Sequence, residues 1–399
     1  MNHRAPASFA APGDFSIVLG GPLYQLLRRA HLSDDTLALV SRRIVAAVLI
    51  TWLPLLVLTV LSGTAWWGNV TVPFLFNAEV HTRFLVAMPL LIVAELGVHV
   101  RMRNIVSRFL ERDLIPKAAR SNFTTAIDAA MRLRNSLAVE IALIVLIYVV
   151  GIRMREYLAV DVGTWSRQPA AGAGLTTLSP AGWWEALVSV PLFQFLLLRW
   201  YFRVFIWARF LWQVSRIELA LIPTHPDGVG GLGFLSNVVY AFTPILAAHG
   251  VLLAGMIADR IAYDGATLPQ FTVEIAGGVG VLVLMVLCPM IVFAGQLAAA
   301  KRRGLNEYGG LSQHYVKAFD VKWVRGGTST DDTLLGSADI QSLADLSNAF
   351  DRIRTMRMVP FSKETVLQLA IVTAAPLAPL LLTMISLEDL LKRLLTAAF

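Results

Sequence analysis

Hydrophobic positions along this chain fall into long unbroken runs, not into the alternating or three-to-four-residue patterns of a soluble fold. Seven runs, at about 44–63, 83–100, 136–152, 184–206, 237–258, 274–297 and 365–385, are long enough to cross the roughly 30 Å hydrocarbon layer of a bilayer. Inside that layer every backbone N–H and C=O must find a partner within the segment, so the runs predict an all-α, polytopic membrane protein with about seven transmembrane helices. The first run begins only at Ile44, after Arg4, Arg28, Arg29, Arg42 and Arg43, which is too late for a cleavable signal peptide.

The polar stretches between the runs divide the chain. Residues 1–43 form an N-terminal segment whose Phe15, Ile17, Leu19, Leu23, Leu26 and Leu27 suggest an interfacial amphipathic helix over 14–30. Residues 44–300 hold six spans and a cytoplasmic hairpin at 101–135, turned near Pro116. Residues 301–363 form a small helical block, and 364–399 the seventh span with its tail. Within the small block a helix is expected over about Glu307 to Trp323, then a polar loop over Arg325 to Thr333. A second helix follows, capped by Ser337, on which Ile340, Leu343, Leu346, Phe350 and Ile353 share one face that needs a partner.

Composition agrees with the pattern. Hydrophobic residues make up 56% and charged residues 15% of the chain, against about a quarter charged in a soluble domain. The net charge of +7 could suggest nucleic acid, but the placement of the basic residues speaks for topology. With the N-terminus inside, 25 lysines and arginines lie on the cytoplasmic side and 6 outside, which orients the bundle with its C-terminus outside and leaves no expectation of nucleic-acid binding. Trp66, Trp67, Trp183 and Trp184 mark the outer interface as an aromatic belt. A single cysteine, Cys288, excludes an intrachain disulfide and a Cys-based metal site, and no cofactor is implied.

Six spans contain proline, at Pro54, Pro89, Pro191, Pro244, Pro289 and the pair Pro376 and Pro379, each able to kink its helix. Small residues in the fifth span (Ala247, Ala248, Gly250, Ala254, Gly255) and the sixth (Gly277, Gly278, Gly280) predict close helix packing.

Charges inside spans are costly unless paired or hydrated. Glu95 and His99 share a face near the inner end of the second span, Glu140 lies at a similar depth in the third, and Arg199 and Arg203 enter the inner half of the fourth. They form either buried ion pairs or a hydrated cytoplasm-facing vestibule for cations or protons. The spacing of Arg199, Arg203, Arg209 and Arg216 lacks the every-third-residue repeat of a voltage sensor, and His249 reads as a packing histidine.

The loop from Pro223 to Phe234 is the most distinctive segment. Gly228, Gly230 and Gly233 satisfy GxGxxG, but a membrane helix precedes them where a dinucleotide fold requires a strand. Gly228, Gly230, Gly231 and Gly233 could instead present backbone N–H groups to an anion or headgroup, with His225 and Asp227 as acid and base or as metal ligands. The plain alternative is a tight turn capped by Asp227; no metal site is assigned with either. With Leu334 to Leu346 (LLGSADIQSLADL), the string His225 to Leu235 (HPDGVGGLGFL) resembles a family of uncharacterised bacterial multi-pass inner-membrane proteins. That resemblance implies a bacterial inner membrane and no mechanism.

Three functions remain open: an ion channel or transporter with a cytoplasm-facing polar vestibule, which could be a homo-oligomer; a membrane-embedded enzyme acting on a lipid or phosphorylated substrate through His225 and Asp227; and a scaffold or signalling protein docking a cytoplasmic partner through 337–356.

Overall fold

The computed structural model describes residues 15–21, 25, 39–66, 70–157, 164–169, 176–326 and 338–384. The fold is all-α. In chain order the helices are α1 (Val40–Leu61), α2 (Ala78–Glu111), α3 (Lys117–Arg134), α4 (Leu137–Tyr157), α5 (Pro180–Val214), α6 (Leu232–Tyr263), α7 (Leu268–Ile291), α8 (Ala294–Phe319), α9 (Ala338–Arg354) and α10 (Lys363–Met384). A two-stranded antiparallel hairpin, β1 (Arg167–Pro169) and β2 (Thr176–Leu178), precedes α5. Six of these helices are individually long and apolar enough to cross a membrane, and α3 with α4, bent by 44° at their junction, make up to a seventh. The protein is a multi-pass integral membrane protein.

Its surface is inverted relative to a soluble fold. Val45, Leu49 and Val57 of α1, Ile141 and Val145 of α4, and Val273, Val281 and Leu284 of α7 are exposed, while Arg43, Glu95, Arg199 and Arg203 are buried. In lipid this is the low-energy arrangement, because hydrocarbon accepts apolar side chains and charges retreat to one another. The centre is built from α2, α5 and α6. On α2, Phe84, Met88, Leu91, Val98, Met102, Ile105 and Phe109 recur at helical spacing and are buried, and Trp200 of α5 donates its indole N–H to Leu91 O at 2.9 Å. The first turn of α2 is held by Asp259 of α6, whose carboxylate accepts from the N–H groups of Ala78 (2.7 Å) and Glu79 (3.0 Å), a favourable charge at a helix N-terminus.

The prolines have identifiable consequences. Pro54 supplies no N–H for the carbonyl of Ile50, which accepts instead from the indole of Trp184 at 3.1 Å. Pro191 leaves Leu187 O in the same condition, and it accepts from the Tyr148 hydroxyl at 3.0 Å. Pro89 and Pro191 each follow a π-helical turn, Thr82–Ala87 and Glu185–Ser189. After Ala374, with Pro376 and Pro379, α10 tightens into a 3-10 helix over Ala375–Met384.

Several expectations change. The helix expected from Glu307 begins at Ala294, directly after a turn at Val292 and Phe293 that ends α7, so α8 follows the sixth span almost without a break. Small residues act as expected in α6, where a Cβ on Gly250 would lie 2.0 Å from Thr373 O and one on Gly255 2.0 Å from Thr82 Oγ1. In α7, however, Gly277 and Gly280 have open space around them, so close packing does not account for them. Phe15 to Gly21 forms bends, with Phe15, Ile17 and Val18 buried in the core instead of lying as an interfacial helix; most of 14–30 lies outside the described residues. Trp67, Leu334–Ser337 and most of the loop after Arg325 lie outside them too.

The face of α9 finds its partner at one end within the chain. Ile353 is fully buried and comes within 3.2 Å of the position a Cβ would take on Gly304 of α8, and Phe350 lies against Gly309. At the other end Tyr315 and Trp323 donate to Asp339, and Ile340 stays exposed.

Candidate functional site

At the arginine-rich end of the bundle the charges picked from the sequence do converge. Glu95 pairs with Arg43 of α1, lies 2.8 Å from Arg203 and 3.9 Å from Arg199, and Arg199 reaches Glu140 of α4 at 3.7 Å. All five side chains are buried, and the Arg203 guanidinium also covers the Trp200 ring at 4.6 Å. The N-terminal bends close over this network. Arg134 donates to Ser16 O at 2.5 Å, Ser16 Oγ lies 2.8 Å from His99 Nδ1, and Gly20 and Gly21 adopt positive φ so that the chain can pass against Arg134 and Glu140. The space left beside Arg134, Glu140, Arg199 and Arg203 is about 10 Å³, no more than one water requires. The hydrated vestibule expected from Glu95, His99 and Glu140 is therefore closed in this structure, because arginines from α1 and α5 and the N-terminal segment fill it. Sequence reasoning missed Arg43, which was counted only as a topological charge.

His249 Nδ1 donates to Ile245 O at 2.7 Å, and its Nε2 accepts from the Tyr201 hydroxyl at 2.6 Å, so both ring nitrogens are used in packing.

The glycine loop is built around its own carboxylate. Asp227 accepts from the backbone N–H groups of Val229 (2.9 Å), Gly231 (3.1 Å) and Gly233 (2.8 Å). Gly228, Gly230 and Gly231 take positive φ values of 66°, 65° and 101°, which aim these donors inward, and a Cβ on Gly233 would lie 2.8 Å from Asp227 Cβ. Of the donors expected to hold an external anion, those of Gly231 and Gly233 are thus occupied by Asp227, and that of Gly228 donates to His225 O at 3.1 Å. Burial works to raise the Asp227 carboxyl, but the three N–H groups and His225 outweigh it and hold the acid below its usual range. His225 Nδ1 stands 3.0 Å from Asp227 Oδ1 and accepts from the Asp227 N–H at 3.3 Å. Among the described residues no third His, Cys, Asp or Glu completes a metal-binding group with this pair. Arg357 donates to Asp227 O at 3.0 Å, and its backbone N–H to Gly228 O at 2.8 Å, so the loop also fastens the segment after α9 to the bundle.

A further cavity lies at the opposite end, between α2, α4 and α5, the same helices that carry Glu95, Glu140 and Arg199. It holds about 500 Å³ and is lined by Glu79, Arg83, Tyr148, Glu185 and Gln194, with Arg167 and Leu178 of the hairpin and Trp165 just before it. Arg83 pairs with Glu79 and lies 3.9 Å from Glu185. Their placement follows from the π turns: Met88 N–H reaches back to Arg83 O and Val190 N–H to Glu185 O, one residue further than in an α-helix. Arg83 and Glu185 each stand six residues before a proline, Pro89 and Pro191, and this repeated spacing is the signal that could have found the site. The hairpin covers the cavity by close backbone contact, since a Cβ on Gly182 would lie 2.1 Å from Ser166 O, and Ser179 donates to Trp165 O at 2.9 Å.

No family model matches this chain, and neither a curated protein nor a solved structure is detectably similar to it.

Proposed function

We propose that the protein is a transporter of a small polar solute in a bacterial inner membrane, closed at its arginine-rich, cytoplasmic end and hollow at the other. The observation that carries this is the stacking of two charged sites between one set of helices. Arg83 stands 12 residues from Glu95 on α2 and Glu185 stands 14 from Arg199 on α5, so the cavity and the closed network lie roughly 20 Å apart along the same helices. A cavity lined by both carboxylates and guanidinium groups suits a solute carrying an ammonium group, received by Glu185, and a carboxylate, received by Arg83 or Arg167. Passage inward then requires Glu95 to part from Arg43 and Arg203. The π turns beside the cavity, already relieved of regular hydrogen bonding, are where α2 and α5 can flex at low cost.

The test is flux into proteoliposomes, using protons, alkali cations and a panel of amino acids over a range of pH and voltage. The expected result is uptake of at least one zwitterion that Glu185→Gln reduces by tenfold or more, roughly the value of one charged contact. Folded protein that moves none of these would overturn the proposal.

A further inference from the structure

Away from the cavity and the ion network, two open hollows adjoin on the lipid-facing side of α5. The first, of about 490 Å³, is lined by Arg132, Leu133, Ser136, Phe205 and Arg209 at the junction of α3 with α4. The second, of about 610 Å³, runs between α5 and α7 over Val204, Ala208, Met285, Pro289 and Val292, and it too is bounded by Phe205 and Arg209. The division of chemistry is sharp: guanidinium groups and a hydroxyl line one hollow, and the other is almost wholly apolar. Arg209 sits five residues before the end of α5, about 7 Å from it, on the arginine-rich side. Among the described residues neither Arg132 nor Arg209 is paired with a carboxylate. A third guanidinium, Arg216, stacks on Trp212, a wall of the second hollow, at 5.0 Å.

We propose that the two hollows are a single site for an anionic phospholipid. Its phosphate lies between Arg132 and Arg209, with Ser136 donating its hydroxyl, and one acyl chain runs past Phe205 along the groove between α5 and α7. The charge fits: two guanidinium groups that pair with no carboxylate among the described residues attract an anionic headgroup, and a basic pocket between helices on the cytoplasmic side is the form such recognition takes. The shape fits as well, because an acyl chain needs an apolar channel leading away from its phosphate, and the shared walls Phe205 and Arg209 place the two side by side. Nothing in this site depends on the transport proposal.

Native mass spectrometry of delipidated protein titrated with phosphatidylglycerol, phosphatidylcholine or glycerol phosphate tests the site. The protein should bind phosphatidylglycerol over phosphatidylcholine by about tenfold or more, given two guanidinium contacts. Arg132→Ala with Arg209→Ala should abolish the preference, while the two lysine substitutions should keep most of it, as a phosphate accepts either cation. Ala208→Trp, which fills the groove, should weaken phosphatidylglycerol binding with unchanged melting temperature. Equal binding of the two lipids, or a preference surviving the double alanine variant, overturns the proposal. So does displacement of the lipid by equimolar glycerol phosphate, which would leave a phosphate site without an acyl groove, and so does a dimer that persists after delipidation and is broken by Ala208→Trp, which would give the groove to a second copy.

Discussion

The indole N–H of Trp184 donates to the carbonyl of Ile50 at 3.1 Å, and that carbonyl is the one whose helical donor is missing because residue 54 is proline. An unsatisfied carbonyl facing hydrocarbon costs about 1–3 kcal/mol. Trp184→Phe should therefore lower thermal stability in detergent by that order. In a Pro54→Ala background, where residue 54 again carries an N–H, the same substitution should cost clearly less; equal losses in both backgrounds would separate the tryptophan from the proline.

Glu95 is the shared anion of Arg43, Arg203 and Arg199. Removing one partner of a buried ion pair leaves uncompensated charge and typically costs about 3–5 kcal/mol. Glu95→Gln should destabilise the protein by that order, and Glu95→Gln with Arg203→Gln should lose much less than the sum of the single variants, as measured by a double-mutant cycle of unfolding. Additive losses would show that the two side chains are not energetically coupled.

Asp227 gives the loop a pH dependence of known sign. Its folded pKa lies below the ordinary carboxylate value, so its contribution is complete above the unfolded pKa of about 4 and is lost as pH falls through the lower folded value. Asp227→Asn removes that contribution throughout. The expected result is that the wild-type melting temperature drops toward the variant's as pH is lowered below about 4, with the widest gap near neutrality. Parallel curves would show that the carboxylate charge does not hold the nest.

Gly151 lines the cavity between α2, α4 and α5, and a Cβ there would meet nothing within 4 Å. Gly151→Trp should fill the cavity, leave the melting temperature within about 1 kcal/mol of equivalent stability, and abolish solute flux. Undiminished flux would place the solute path elsewhere.

The spans were legible because hydrocarbon imposes one rule on every residue in a run, and a run of some 20 apolar positions admits few alternatives. The convergence of Glu95, Glu140 and Arg199 was legible for a related reason: depth along a helix follows from residue number, so charges at one depth can be matched before their neighbours are known. Which charges meet is another matter. Arg43 stands at a helix end, where an arginine also satisfies the positive-inside rule, and only the inward turn of its side chain shows that it is a partner of Glu95. Arg83 and Glu185 were hidden at span boundaries, where a charge is expected anyway. The Asp227 nest was visible as a glycine pattern, but the pattern alone does not say whether the inward-facing donors hold the chain's own carboxylate or a ligand.

The pairing of Glu95 with Arg43 bears on how the protein is made. Arg43 precedes Glu95 by 52 residues and Arg203 follows it by 108, so the chain delivers Glu95 to the membrane with one counter-charge already synthesised and two still to come. An isolated carboxylate at that depth opposes insertion of its helix. Pairing with Arg43 would let α1 and α2 enter as a neutralised hairpin, to which α5 would add Arg199 and Arg203 once it is made.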